Sequence, residues 1–282
     1  MEVGTLYLVA TPIGNLEDLS ERARRVLSCA DLIAAEDTRV TRKLLSHLGV
    51  HRPLVSLHAH SSPARIAALI ERLGSGQSLA VVTDAGAPGV SDPGAEIVAA
   101  AAQGGFPVVP VPGPSAVTTA VMAAGIPSRG FHFVGFLPRA ASKRRRELEA
   151  LRTEPCAIVL FEAPDRTQAL LRLAAEVLGA DRPAAVCREL TKLHEQIVRG
   201  PLGGLATSAI PARGEVTVVI GPGERAPVRA EPATVEDRIA ELLDEGLSVR
   251  DAADRAAAEL GVGRSQAYRV ALAQRSGAER RT

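Results

Sequence analysis

The stretch VVTDAGAPGVSDPG, residues 81–94, carries three glycines, two prolines and two aspartates directly after an apolar run that begins at Leu79. A glycine-rich turn after a strand lets the backbone come close to a ligand. A polyphosphate cradle would add a lysine, as in GxxxxGKS/T, and the chain has no such motif; nor does GxGxxG follow its first apolar run. The loop instead offers Asp84 and Asp92. Carboxylates and backbone carbonyls accept hydrogen bonds and favour cations. The chemistry is therefore that of a ligand with hydroxyls and a positive charge. S-adenosylmethionine supplies ribose hydroxyls, an amino group and a sulfonium. The competing reading is an ordinary tight turn in which Asp84 or Asp92 caps a helix over 95–103.

Two other loops share this character. TPIGN (11–15) follows the run Thr5–Ala10, and PVPGPSAV (110–117) follows Pro107–Val111 and places Ser115 before an Ala/Val/Thr-rich helix, where an N-cap is the plain alternative. Three such loops after three parallel strands would gather at one edge of a sheet and form a cleft. Metal chemistry has less support. His58 and His60 in LHAH would share a strand face but have no carboxylate nearby in sequence, and His194–Glu195 lacks the second histidine of HExxH.

The elements that must hold these loops follow from periodicity. Thr5–Ala10, Asp31–Ala35, Leu79–Val82 and Pro107–Val111 read as strands. Helices are expected over 19–30, Thr38–Leu48, 62–73 (Ser62 as N-cap) and Ala95–Gln103. This alternation implies a mostly parallel sheet flanked by helices, closing near residues 113–130. The second half reads as strands at HFVGFL, CAIVLF (156–161), AAVCREL and EVTVVIG, with helices at Lys143–Thr153 and Arg166–Leu178. Asp165 and Gln168 resemble a capping box for the latter, and a mixed sheet is expected. ERAPVRAEPAT (224–234) reads as a linker, followed by helices at Val235–Glu245, Ser248–Leu260 and Arg264–Ala273, with the last nine residues disordered.

The 282 residues suffice for two cores. A net charge of +1 gives no global pull toward nucleic acid or membrane. Cys29, Cys156 and Cys187 form no CxxC, which suits a reducing cytosol, and no apolar run approaches the ~18 residues of a membrane span. We therefore expect a cytoplasmic protein without a signal peptide or membrane contact.

LYLVATPIGNLEDLS, AAEDTRVTRKLL, VVTDAGAPGVSDPG, PGPSAV, FVGFLPR, FEAPDRT, CRELTKLHE and GEVTVVI occur in this order. Over roughly residues 4–222 the chain closely resembles the tetrapyrrole methylase family, in particular its members that methylate a cytidine 2′-hydroxyl of 16S rRNA. The resemblance implies an α/β fold: an N-terminal domain with a parallel sheet (1–120), a second α/β domain with a mixed sheet (121–223), and S-adenosylmethionine in the cleft between them. A helical tail (235–275) follows. It implies cofactor contacts at Pro12, at Asp84, Ala85, Gly86, Ala87, Pro88 and Val90, and at Ser115 and Ala116. The second domain would add Phe161, Leu190, Gly214, Glu215 and Val216. It also implies 16S rRNA or the small ribosomal subunit as partner, and a homodimer, for which the sequence carries no interface signal. The chain departs from the pattern at Ala87, where threonine is common. It departs again at Ala59 and Ser61, where an acid and asparagine are common, and at Ala163 and Asp165, where serine and histidine are usual.

For a displacement by a ribose oxygen, orientation could contribute up to ~7–11 kcal/mol and a base roughly 10²–10⁴-fold. Candidates are Glu36, Asp37, Glu162 and Glu195, with Arg39 holding a phosphate or orienting Asp37. Asp37 could instead cap helix 38–48, and Glu195 could pair with Lys192 on the surface. For RNA, RAASKRRRE (139–147) holds five basic residues between Arg139 and Arg146. Arg139, Lys143 and Arg144 are the preferred contacts, because cations disfavour a helix N-terminus and so call for another reason to be there. The tail resembles a helix-turn-helix whose second helix starts at Arg264, with a plain helical hairpin as the alternative. Two other functions compete: a methyltransferase of a tetrapyrrole or other small substrate, which needs neither basic loop nor tail, and an RNA-binding protein without catalysis.

Overall fold

The computed structural model describes residues 3–223 and 234–278. Their contacts divide into a body ending at Gly223 and a helical unit after it.

The body holds two five-stranded sheets. The first contains β1 (Leu6–Val9), β2 (Leu32–Ala35), β3 (Leu54–Ser56), β4 (Leu79–Val82) and β5 (Val108–Val111) in the order β3-β2-β4-β1-β5, with every pairing parallel. Helices α1 (Glu21–Cys29), α2 (Thr38–His47), α3 (Pro63–Gly74) and α4 (Ala95–Gln103) connect them. LIAA and LAVV, the sequences of β2 and β4, are buried at every position because helices cover both faces. One face packs on Leu27 of α1 and Leu45 of α2, the other on Leu69 and Leu73 of α3 and Ile97 of α4. Order β4-β1-β5 makes the three proline/glycine loops neighbours at the carboxyl edge, as the sequence predicts. Strand β3 has only three residues and its periodicity is too short to read.

The second sheet contains β6 (Phe131–Phe136), β7 (Ala157–Glu162), β8 (Pro183–Arg188), β9 (Gln196–Pro201) and β10 (Val216–Ile220), ordered β6-β7-β10-β8-β9. Only β6 and β7 run parallel; the other pairs are antiparallel, giving the expected mixed sheet. Helix α5 (Ala116–Ala124) covers one face through Val117, Ala120 and Ala124. The opposite face packs on α6 (Ala141–Ala150), α7 (Pro164–Leu178) and α8 (Leu202–Thr207). Residue 120 falls inside α5, so the chain passes from one sheet to the other across this helix rather than at a loop there. Neither β9 nor α8 was predicted: QIVRGP is an edge strand with a charged residue and a glycine, and LGGLAT carries two glycines.

Several local expectations are corrected. Gly94, not Asp84 or Asp92, sits at the N-cap of α4, without a side-chain cap. Asp165 makes no capping box, since α7 begins one residue earlier with Pro164 behind Ala163. Lys192 pairs with Glu189 and Glu215, while Glu195 accepts from the Thr191 amide at 2.7 Å.

The tail unit consists of α9 (Val235–Asp244), α10 (Val249–Leu260) and α11 (Arg264–Ala278), packed around Ile239, Leu242, Ala253, Ala256, Ala267 and Ala271. Disorder is expected from Gln274, but α11 continues to Ala278; 279–282 and the linker at 224–233 lie outside the described residues. No helix among the described residues is long and apolar enough to cross a membrane.

Candidate active site

A cavity of about 370 Å³ opens where the carboxyl-edge loops of the first sheet face the ends of β6 and β7 and the start of β10. Ala85, Gly86, Ala87 and Val90 reach it from the loop after β4, and Ser115 and Ala116 from the loop after β5. Phe161 and Glu162 at the end of β7, and Gly214, Glu215 and Val216 before and at the start of β10, close the far side.

Backbone pairing fixes this geometry. Thr11 and Gly86 exchange amide-to-carbonyl hydrogen bonds of 2.9 and 3.0 Å, tying the loop after β1 to the loop after β4. Gly86 has φ of +89°, a left-handed conformation that favours glycine, and no side chain there fills the cavity. Ser115 occupies the N-cap of α5, yet its side chain makes no capping bond, which leaves the hydroxyl on the cavity wall.

The wall carries three carboxylates, Asp92, Glu162 and Glu215, and no lysine, arginine or histidine. Glu162 is the most constrained. Its side chain is 0 % exposed. Oε1 accepts from the Ala163 amide at 2.8 Å and from the Arg166 guanidinium. Oε2 is buried and has no hydrogen-bond partner. An orphaned buried carboxylate oxygen is costly.

Asp92 belongs to an acidic group built on the ends of β2 and β4. Asp84 Oδ1 accepts from the Asp37 amide at 3.0 Å, and Glu36 accepts from the Asp84 amide at 3.4 Å. Burial pushes the Asp92 carboxyl up to about 6, the Glu36 and Asp84 charges add to this, and a hydrogen bond with Thr83 opposes it. Glu36 is raised too, first by burial, against the Asp84 amide. A carboxyl with a raised folded-state pKa binds its proton more tightly when folded, so its penalty is present above about 6 and is relieved as pH falls toward the ordinary 3.8. Asp92→Asn should therefore raise the urea midpoint at pH 8, with the advantage over wild type shrinking as pH falls from about 6 to 4. Equal midpoints at pH 8 would remove Asp92 from the buried acidic group.

Other expected residues lie elsewhere. Pro12 and Asp84 line a neighbouring cavity of about 250 Å³ bounded by Thr41 and Lys43 of α2. Pro88 lines neither cavity, and Leu190 is buried among Val117, Ala185 and Cys187. Asp37 caps α2 through the Arg39 amide at 2.7 Å and pairs with the Arg39 guanidinium at 2.6 Å. That pairing holds its carboxyl down to about 2, which makes it a poor proton acceptor. Arg39 is 84 % exposed in this pair. Glu36, Asp37, Arg39 and Glu195 are absent from the wall of the larger cavity. Sequence reasoning missed Ile13, Ser91, Val117, Phe136 and Thr217 on that wall; the glycine interrupting FVGFL was the available signal for Phe136.

Among the basic residues, Arg144 is 8 % exposed and donates to the Pro138 and Arg139 carbonyls, so it braces the loop. Arg139 and Lys143 are exposed and their side chains make no bond to the described residues. Arg264 pairs with Asp254 on the tail surface.

Residues 5–206 match the family of tetrapyrrole (corrin/porphyrin) methylases. The chain belongs to this family. Among tetrapyrrole methylases, it is 44 % identical over 270 residues to the ribosomal RNA small subunit methyltransferase I of Xylella fastidiosa, covering 94 % of this chain and 98 % of that protein. It is 43 % identical over 279 residues to the protein of the same name from Mycobacterium tuberculosis, covering 98 % and 97 %. A uroporphyrin-III C-methyltransferase from Thermus thermophilus, solved with S-adenyl homocysteine, shares the methylase fold with a TM-score of 0.53 at 20 % identity, over 78 % of this chain and 98 % of that one.

Proposed function

We propose that this chain is an S-adenosylmethionine-dependent methyltransferase acting on the ribose 2′-hydroxyl of a cytidine in 16S rRNA, free or assembled into the small ribosomal subunit. The names of its relatives support the ribosomal substrate. The observation that carries the cofactor is the cavity itself: three carboxylates, an uncommitted serine hydroxyl and no cationic side chain. Such a wall suits a ligand with hydroxyls and positive charge. We place the reaction in the cytoplasm and expect a homodimer.

S-adenosylmethionine supplies a methyl group on a sulfonium, already activated for displacement. The chain supplies position and a proton acceptor. Gly86, Ala87, Ser115 and Ala116 shape one wall; Asp92 and Glu215 present acceptors. We assign Glu162 Oε2, which has no partner among the described residues, as acceptor of the proton of the attacking 2′-hydroxyl, with Arg166 holding Oε1. Asp84 Oδ1 accepts from the Asp37 amide and so ties the ends of β4 and β2.

The basic loop of α6 supplies phosphate contacts. Arg139→Ala with Lys143→Ala should weaken RNA binding and lower the slope of log K against log salt by about 1.4, near 0.7 per phosphate contact on single strands. An unchanged slope would take this loop out of the RNA interface. Arg144→Ala should lower stability by loosening the loop it braces. The function is tested by mapping ribose methylation of small-subunit rRNA in cells with and without the gene for this chain. Loss of one cytidine 2′-O-methyl mark is expected. An unaltered map would leave the small-substrate reading in its place.

A further inference from the structure

Aromatic residues are scarce here: five phenylalanines, two tyrosines and no tryptophan in 282 residues. Three of the five phenylalanines form a ladder at the active-site cavity. Phe133 meets Phe161 edge-on with ring centroids 4.9 Å apart, and Phe161 meets Phe136 at 5.5 Å. The ladder runs outward to Phe136, which is 59 % exposed. Its ring is therefore open for a second aromatic face to stack on it.

The backbone is shaped to put it there. Strand β6 is at the sheet edge, and its pairing with β7 slips between Phe133 and Gly135. Gly135 has φ of +74°, and a Cβ on it would lie 3.0 Å from Ser91 Oγ. Bulges of this kind re-aim a side chain beside a site. Phe136 consequently borders both the 370 Å³ cavity and an adjoining hollow of about 590 Å³. Leu137 and Ala163 give that hollow apolar wall, and Arg139 brings a guanidinium with no partner among the described residues. Asp165 adds a carboxylate, which repels phosphate and accepts from an exocyclic amine such as that of cytosine.

Resting on the reading of the site as an RNA methyltransferase, we propose that this hollow is the acceptor-nucleotide subsite. The target base is turned out of its strand and stacks on Phe136, while Arg139 holds a flanking phosphate. Sequence-specific recognition of RNA targets unstacked bases, and an aromatic face is the common support for a base so exposed. Stacking here sets the ribose at the junction of the two hollows, next to the cavity that Glu162 lines.

The test compares binding of two single-stranded RNA oligonucleotides, one with a central cytidine and one with an abasic ribose at that position. Wild type should prefer cytidine by roughly 5- to 150-fold, the range of one base stacked on one ring. Phe136→Tyr should keep the preference. Phe136→Ala and Phe136→Leu should lose it, and because the ring is exposed both variants should fold. A preference retained by Phe136→Leu, or absent from wild type, would overturn the subsite. Titration of wild type with S-adenosylmethionine alone reads the underlying assignment separately: binding there without base preference defeats this inference only.

Discussion

Glu162→Gln should lower kcat for methylation of small-subunit rRNA by roughly 10²–10⁴-fold, the contribution of a positioned base, with KM and the dissociation constant for S-adenosylmethionine nearly unchanged. The amide keeps an oxygen for the Ala163 amide and the Arg166 guanidinium, so the wall keeps its shape and loses only the proton acceptor. Single-turnover rates with small subunits, paired with cofactor titration, separate the roles. If the cofactor constant rises while the rate at saturation holds, Glu162 binds the donor and takes no proton. Glu162→Ala is a poorer probe. It strands the Arg166 guanidinium at a largely buried site, and breaking a buried pair costs on the order of 3 kcal/mol.

Ala116→Phe should remove detectable cofactor binding, a loss of at least about 100-fold, or ~2.7 kcal/mol, while the protein stays folded. Ala116 opens α5 on the cavity wall, half-buried against the core between α5 and the second sheet, so the added ring takes up cavity volume. Overpacking a filled core would cost roughly 1–3 kcal/mol of stability. A circular-dichroism melt within a few degrees of wild type, together with a flat calorimetric titration, is the expected pair of results. Normal cofactor affinity in this variant would place the ligand outside the 370 Å³ cavity.

Both predictions depend on contacts that sequence alone reaches unevenly. The first sheet was legible because its strands are apolar runs bounded by glycine and proline, and because three similar loops follow three parallel strands. Their meeting at Gly86 and Ser115 follows from the order β4-β1-β5. The second sheet hid β9, whose short polar-edged sequence carries no clear period. Among the acids, sequence gave no way to rank Asp37 above or below Glu162. The ranking comes from partners: Asp37 is committed to Arg39 and to the cap of α2, whereas Glu162 keeps one buried oxygen free. Pro12 and Asp84 sit in the right loops yet face the neighbouring cavity, a distinction of side-chain direction that motif position does not contain. Arg144 likewise has the right charge in the right segment, but its guanidinium turns inward to two carbonyls.

On the proposed reading, the cavity lined by Asp92, Glu162, Glu215 and the proline and glycine turns seats a methyl-donating cation and not a phosphate chain. Parallel calorimetric titrations of the wild-type protein with S-adenosylmethionine and with ATP test this most directly. Saturable one-site binding of the first and no heat from the second is the expected outcome. Equal or tighter binding of ATP would contradict the assignment of the cavity and, with it, the chemistry assigned to every residue on its wall.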